Sequence, residues 1–163
     1  MLLFHGSYAA IEEPDLSYSR LRTDFGRGFY LTPLKKQAAS WARRFIRQYG
    51  MAAISAYEFS SNPEKLTAAD MRVLEFSSHN REWLDFVSAC RLGLPVDNNW
   101  DLIIGGVAND KVFDTLQLYF ESLIDADSAI GRLRYSKPSV QYCFKNQRLI
   151  DDYLTFSFSE VLR

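Results

Sequence analysis

Hydrophobic spacing changes period several times along the chain, and each change marks an element. Leu2, Leu3 and Phe4 form a short apolar run ended by His5 and Gly6-Ser7, which predicts an N-terminal strand with a polar tip. Between residues 9 and 23 periodicity is lost, and Pro14, Asp15, Ser17 and Ser19 predict an ordered surface loop. In Asp24-Phe25-Gly26-Arg27-Gly28-Phe29-Tyr30-Leu31-Thr32, two glycines one residue apart allow left-handed or close-approach backbone, and a β-favouring run follows. A turn feeding a strand is expected there. From Leu34 onward Ala38, Trp41, Ala42, Phe45, Ile46 and Tyr49 recur at three- and four-residue steps, with Lys35, Lys36, Arg43, Arg44 and Arg47 between them. This predicts one amphipathic helix closed by Gly50, its basic face solvated.

Residues 52–59 predict a strand broken by Ser61-Asn62-Pro63, and residues 72–76 a second, with a loop or one helical turn between them. Residues 79–92 place Trp83, Leu84, Phe86, Val87 and Cys90 on one helical face, ended by Gly93 and Pro95. Residues 100–104 read as a strand running into Gly105-Gly106, 112–123 and 127–133 as helices, and 139–144 as a strand. Asn146 can cap a short turn through Asp152, and 153–158 close the chain as a strand. Several short strands, helices gathered between 34 and 133, and no regular βαβ alternation predict an α+β fold in one domain, 1–163.

Composition narrows the function classes. At 163 residues with 47% hydrophobic and 15% aromatic side chains, the chain can bury a core without disulfides or metal. A formal net charge of −1 supplies no global field for nucleic acid or an anionic membrane, so such a contact must come from a local patch. Two cysteines, Cys90 and Cys143, lacking CxxC or histidine partners at ligand spacing, read as reduced buried thiols, with no metal site expected. No basic region precedes a long apolar run, so a cytoplasmic location and no membrane span are expected. There is no GxGxxG before a helix, no P-loop, no HExxH and no nucleophile elbow, and His5 and His79 are the two histidines. That weakens dinucleotide-fold, metalloprotease and serine-hydrolase readings.

The candidate chemistry lies elsewhere. His5 at a strand end can aim ring nitrogens at a ligand or bond a core carbonyl, and Gly6 lets a ligand reach backbone. Tyr30 offers a flat face and a hydroxyl to a planar ring, or is half-buried core. Asn109 and Asp110 could wall a pocket beside Gly105-Gly106, or one could cap a helix. Arg20 and Arg22 could hold a phosphate or face solvent.

Two segments together add a resemblance. Phe4-His5-Gly6-Ser7 and Phe25-Gly26-Arg27-Gly28-Phe29-Tyr30-Leu31-Thr32 resemble the first two signature motifs of the ADP-ribosyltransferase fold, in its poly-ADP-ribose-polymerase or diphtheria-toxin-like branch. Nearly the whole chain is similar to a small bacterial family known as a domain of unknown function and placed in that fold class, through Asp101-Leu102-Ile103-Ile104-Gly105, Val107-Ala108-Asn109-Asp110 and Gln141-Tyr142-Cys143-Phe144. The resemblance implies an ADP-ribosyltransferase-like split β-sheet clasp with flanking helices, holding NAD as co-substrate. It implies that His5 bonds a ribose hydroxyl, that Gly6 offers its backbone to the nicotinamide amide, and that Tyr30 stacks on the nicotinamide ring. Ser7, Gly28, Asn109 and Asp110 complete the implied binding set.

In that branch a glutamate engages the nicotinamide ribose, whereas this chain presents Gln141. Cleaving the nicotinamide–ribose bond leaves an oxocarbenium-like sugar and a neutral leaving group, so the site needs negative charge rather than a general acid. A glutamine supplies only a dipole, and losing one such electrostatic group costs about 3–4 kcal/mol. The chain is then a slow enzyme, one that borrows Asp110 or Glu75, or a domain that binds NAD without turning it over. Gly106, where the small family is expected to carry proline, should only loosen its turn.

The implied function is transfer of ADP-ribose to a macromolecular acceptor, protein or nucleic acid, as the toxin of a bacterial toxin–antitoxin pair with an antitoxin protein as partner. The alternatives are an NAD glycohydrolase or a catalytically silent NAD- or protein-binding module. Nucleic-acid binding as the main role ranks last, the basic residues of 35–47 being balanced by acids elsewhere. The NAD reading requires His5, Tyr30 and Gln141 to line one cleft.

Overall fold

A computed structural model describes residues 1–60, 71–134 and 139–163. The break at Ser61-Asn62-Pro63, and the loop or turn expected after it, lie outside the described residues. Strand β1 (Leu2–Ser7) is followed by a loop with one 3-10 turn (Leu16–Tyr18), then β2 (Phe29–Leu31), α1 (Lys35–Arg43), α2 (Ile46–Tyr49) and β3 (Ala52–Phe59). The second half runs β4 (Val73–Glu75), α3 (Arg81–Leu92), β5 (Leu102–Gly106), α4 (Asp110–Phe120), α5 (Ala126–Leu133), β6 (Val140–Phe144), α6 (Gln147–Tyr153) and β7 (Leu154–Leu162). Mixed helices and two sheets make this an α+β fold.

The strands form two sheets. In the first, β3 lies between β1 and β7, all antiparallel. In the second the order is β2-β6-β5-β4, antiparallel except for the parallel β4–β5 pair. One rung joins them: Phe4 N–H donates to the Thr32 carbonyl at 2.8 Å, and Thr32 N–H to the Phe4 carbonyl at 2.9 Å.

Side-chain alternation then sorts three apolar layers. Phe4, Ile54 and Ala56 face α1 through Ala38 and Ala39. The opposite face of the first sheet sets Leu3, Tyr57 and Phe59 against Phe29, Leu31, Leu102 and Phe144 of the second. The outer face of the second sheet carries Ile103 and Cys143 beneath Trp83, Val87, Leu116 and Leu133 of α3, α4 and α5. Asn109 caps α4 as the sequence allowed, and Asn80 and Asp125 do the same for α3 and α5: the three side-chain oxygens accept from the N–H groups of Val112, Trp83 and Ser128. Gly93, at φ 71°, closes α3.

The expected helix over 34–49 is two helices. Arg44 N–H donates to the Trp41 carbonyl and Phe45 N–H to the Ala42 carbonyl, so α1 ends in a tightened three-residue turn before α2 begins. The turn swings Phe45 and Tyr49 toward Tyr8, and Trp41 and Tyr49 stand half exposed rather than in the core. The segment after Asn146 is a true helix, and β7 runs to Leu162 because the β3 ladder carries it there. Cys90 and Cys143 are unpaired and buried, burial pushing their thiols up to about 11 and about 12.

The two motif glycines serve different ends. Gly26 takes φ 72°, whereas a Cβ on Gly28 would lie 2.3 Å from the Cys143 Sγ and 3.0 Å from the Phe144 carbonyl oxygen. Gly131, by contrast, sits in α5 with nothing within 4 Å of an added Cβ. Gly28→Ala is therefore expected to lower the unfolding free energy by about 1–3 kcal/mol through overpacking. Gly131→Ala should raise it by roughly 0.5–1 kcal/mol. Urea titrations measure both, and a neutral Gly28→Ala would contradict the close approach.

Candidate functional site

The motif residues meet where the two sheets separate. In an antiparallel ladder each residue turns its N–H and C=O to one side and its neighbour turns them to the other. Because Phe4 spends both groups on Thr32, Gly6 turns both of its own toward β2 as well. Continued in register, the next rung would join Gly6 to Tyr30. That rung does not form. Instead the His5 Nδ1 lies 2.7 Å from the Tyr30 carbonyl oxygen, as the donor in the neutral ring, and the ring stacks on Phe29 at 4.5 Å between centroids. Burial holds the His5 pKa below the ordinary value of 6.5, against the opposing pull of the Tyr30 carbonyl. A neutral imidazole thus takes the place of the next rung, leaving the N–H and C=O of Gly6, itself buried, turned toward β2.

Helix α1 covers one side of this edge. A Cβ on Gly6 would fall 2.2 Å from the Ala38 carbonyl oxygen and 3.1 Å from the Ala42 nitrogen, so glycine permits the contact. Trp41, the neighbour of Ala42, is 46% exposed. Its helical spacing pointed to the core, whereas its ring stands half exposed with the Arg44 guanidinium 4.7 Å above it and Phe45 beside it. Periodicity alone does not separate a core position from one at the margin of the apolar stripe.

The other expected residues gather behind the second sheet. The Asp24 carboxylate is buried, paired through Oδ1 with Arg91 of α3, including an Nε contact of 2.8 Å. Its Oδ2 accepts from Ala108 N–H at 2.9 Å and from the Gln141 Nε2 at 2.8 Å. Gln141 is 7% exposed, and its amide nitrogen also lies 3.3 Å from the Gly106 carbonyl oxygen. The Tyr30 hydroxyl donates to the Gly26 carbonyl oxygen at 2.6 Å and accepts from Phe25 N–H at 3.0 Å, while its ring lies parallel to Phe25. Burial pushes the Tyr30 phenol well above its usual range.

The three side chains therefore do not line one cleft. Gln141 and Tyr30 share the face of the second sheet beneath the helices, and His5 lies on the opposite face with Phe29. Alternation along β2 and β6 causes the split, since Phe29 and Phe144 point one way and Tyr30, Cys143 and Gln141 the other.

The remaining candidates divide similarly. Ser7 is buried at the end of β1, and Gly28 is packed against Cys143. Asn109 caps α4, and Asp110 opens that helix, its side chain lying outside the described residues. Glu75 lies on β4, at the edge of the second sheet farthest from β2, where it cannot be borrowed at His5. Arg20 sits 5.7 Å above the Phe45 ring and the Arg22 guanidinium lies against Gly93, so the two do not converge on one phosphate. Gly106 does more than loosen a turn: a Cβ there would fall 2.2 Å from the His79 Nε2, so glycine makes room for that ring.

A family described as a protein of unknown function, DUF3990, matches residues 1–156. The chain belongs to the DUF3990 family. No curated protein and no solved structure matches it. The matched span holds every candidate residue named above. Among the described residues no helix is long and apolar enough to cross a membrane.

Two measurements test the site's construction. Asp24→Asn leaves Arg91 without its buried counter-charge and should destabilise the fold by about 3–5 kcal/mol, whereas Asp85→Asn at the exposed Arg81–Asp85 pair should cost less than about 1 kcal/mol. Equal effects would remove Asp24 from its central place. Both histidines have folded pKa values below 6.5, so the unfolded chain takes up protons that the fold refuses. Stability should be full above pH 6.5 and fall as pH drops toward the folded values. His5→Gln should make that decline shallower by up to about 1.4 kcal/mol per pH unit. An unchanged slope would show that His5 is not held neutral.

Proposed function

We infer that the chain binds NAD at the Gly6 edge of β1, in place of the His5–Tyr30–Gln141 cleft that the sequence reading required and the structure does not form, and transfers its ADP-ribose to a macromolecular acceptor. The observation that carries this reading is the missing rung between Gly6 and Tyr30. A primary carboxamide offers one acceptor and two donors in a plane, so it can replace a strand residue against an N–H and C=O pair from a single residue. Nicotinamide carries that group on a flat ring. Trp41 is half exposed on α1, the helix that packs on Gly6, and the His5 Nε2 is the ring nitrogen not committed to Tyr30. In this reading the paired sheets act as the clasp of an ADP-ribosyltransferase-like fold, and the motif residues from His5 to Ser7 and from Gly28 to Tyr30 shape its mouth.

Gln141 acts here through the Asp24 turn, holding the stretch that carries Tyr30 rather than touching the sugar. Asp24 cannot supply the missing charge, because Arg91, Ala108 and Gln141 already occupy its oxygens. That commitment favours a second reading, in which NAD is bound and not turned over. Carried to the cell, the transferase reading makes the chain the toxin of a toxin–antitoxin pair, so unopposed expression should arrest growth.

The test uses NAD labelled in its adenylate half with host lysate. Label on a macromolecule, lost in His5→Ala, is expected; free ADP-ribose would make the chain a glycohydrolase, and intact NAD a binding module. Calorimetry isolates the edge itself. Nicotinamide should bind, nicotinic acid, which has no amide donor, should bind at least about tenfold more weakly, and Trp41→Ala should weaken nicotinamide by a similar factor. Equal affinity for amide and acid would overturn the carboxamide reading.

A further inference from the structure

Beyond the Gly6 edge lies a surface that the NAD reading leaves unused. Tyr8, the first residue after β1, stacks on Tyr49 at 4.8 Å with 25° between the planes, and its ring lies 6.3 Å from Phe45. Phe45 is 6.2 Å from Tyr49 and 6.5 Å from Trp41, so four rings, from α1, the turn after it, α2 and the loop after β1, form one continuous group. Tyr8 is 51% and Tyr49 49% exposed. Arginines lie on these rings: Arg20 is 5.7 Å above Phe45, and Arg44 is 4.7 Å above Trp41. Arg43 and Arg47 are exposed on the same segment.

The segment that carries Trp41, Phe45 and Tyr49 is one-sided in charge. From Phe25 to Tyr57 there is no aspartate or glutamate, while Arg27, Lys35, Lys36, Arg43, Arg44 and Arg47 are basic. Glu160 answers Lys35 at 2.5 Å, and Glu12 and Glu13 are exposed on the loop that follows Tyr8. A face of solvent-facing rings interleaved with guanidinium groups needs a ligand with flat π surfaces and regularly spaced anions. Single-stranded nucleic acid supplies both, whereas an acidic peptide supplies the charge without the rings and a duplex hides its base faces.

We propose that the Tyr8–Phe45–Tyr49 surface, with Arg20, Arg43 and Arg47, binds single-stranded nucleic acid. As a bound ligand the strand needs no NAD. As the acceptor it rests on the transferase reading: Phe45 is the ring neighbour of Trp41, and the next residue, Ala42, packs on Gly6. A strand lying across the rings passes next to the place where the nicotinamide–ribose bond would be held.

The test is fluorescence anisotropy with a labelled oligo-uridylate, run without NAD. Binding is expected, and if three arginines meet phosphates the affinity should fall roughly 20-fold between 50 mM and 200 mM salt. Tyr49→Ala should weaken binding about tenfold, and Arg43→Glu with Arg47→Glu should abolish it at the higher salt, while Lys111→Glu on α4 leaves it unchanged. Absence of binding, equal affinity for a duplex of the same length, equal displacement by polyglutamate, or indifference to Tyr49→Ala would each overturn the proposal. Adding adenylate-labelled NAD then separates the two readings. Label on the oligonucleotide supports both, and tight ring-dependent binding without label upholds the surface while counting against transfer to this strand.

Discussion

A buried carboxylate has to be answered, and the answer to Asp24 organises the second half of the molecule. Its partners come from three separate places: Arg91 on α3, the Ala108 N–H just before α4, and Gln141 on β6. An uncompensated charge at this depth would cost several kcal/mol, so the turn that carries Asp24 cannot drift from any of the three. The same turn contains Thr23, Phe25 and Gly26, to which the Tyr30 hydroxyl is bonded. Electrostatics behind the sheet therefore fixes where β2 begins, and with it the height at which β2 meets β1.

At that meeting the opposite principle operates. The sheets touch through one rung and then part, because the His5 imidazole takes the carbonyl that the next rung would need. Burial keeps the ring neutral, so it accepts this place without a counter-ion. Rigid packing on both sides keeps the gap from closing: Ala38 and Ala42 press on Gly6 from α1, and Phe29 presses on His5 from below. The missing rung is therefore held by packing between two sheets rather than by a loop that would have to be ordered.

Much of this was legible one residue at a time. The run over 52–59 is β3 as written, Asn80, Asn109 and Asp125 cap the helices that follow them, and the Gly26–Gly28 pair gave both conformations that such a pair allows, one apiece. What periodicity could not carry was placement across the chain. Arg91 and Asp24 are 67 residues apart, and nothing local to either marks them as partners. Trp41 and Tyr49 share the apolar spacing of Ala38 and Ala42 but stand half exposed, Trp41 within α1 and Tyr49 in α2 beyond the break after Arg43. His5 and Tyr30 were expected to face one ligand; their side chains lie on opposite faces, and they meet through a ring nitrogen and a backbone carbonyl.

The glutamine on β6 takes on a different meaning in this setting. As a substitute for glutamate it reads as a loss, an acceptor of negative charge missing from a site that needs one. Its nearest polar neighbour, however, is the Asp24 Oδ2 at 2.8 Å, and an amide nitrogen is the group that such an oxygen requires. A glutamate in the same rotamer would set two carboxylates at that distance, and one of them would have to hold a proton or the turn would have to open. Gln141 and Asp24 are therefore one design element rather than two. A chain in which a β6 glutamate reached the sugar would need a different residue at Asp24, and with it a different anchor for Arg91, Ala108 and the turn that positions Tyr30.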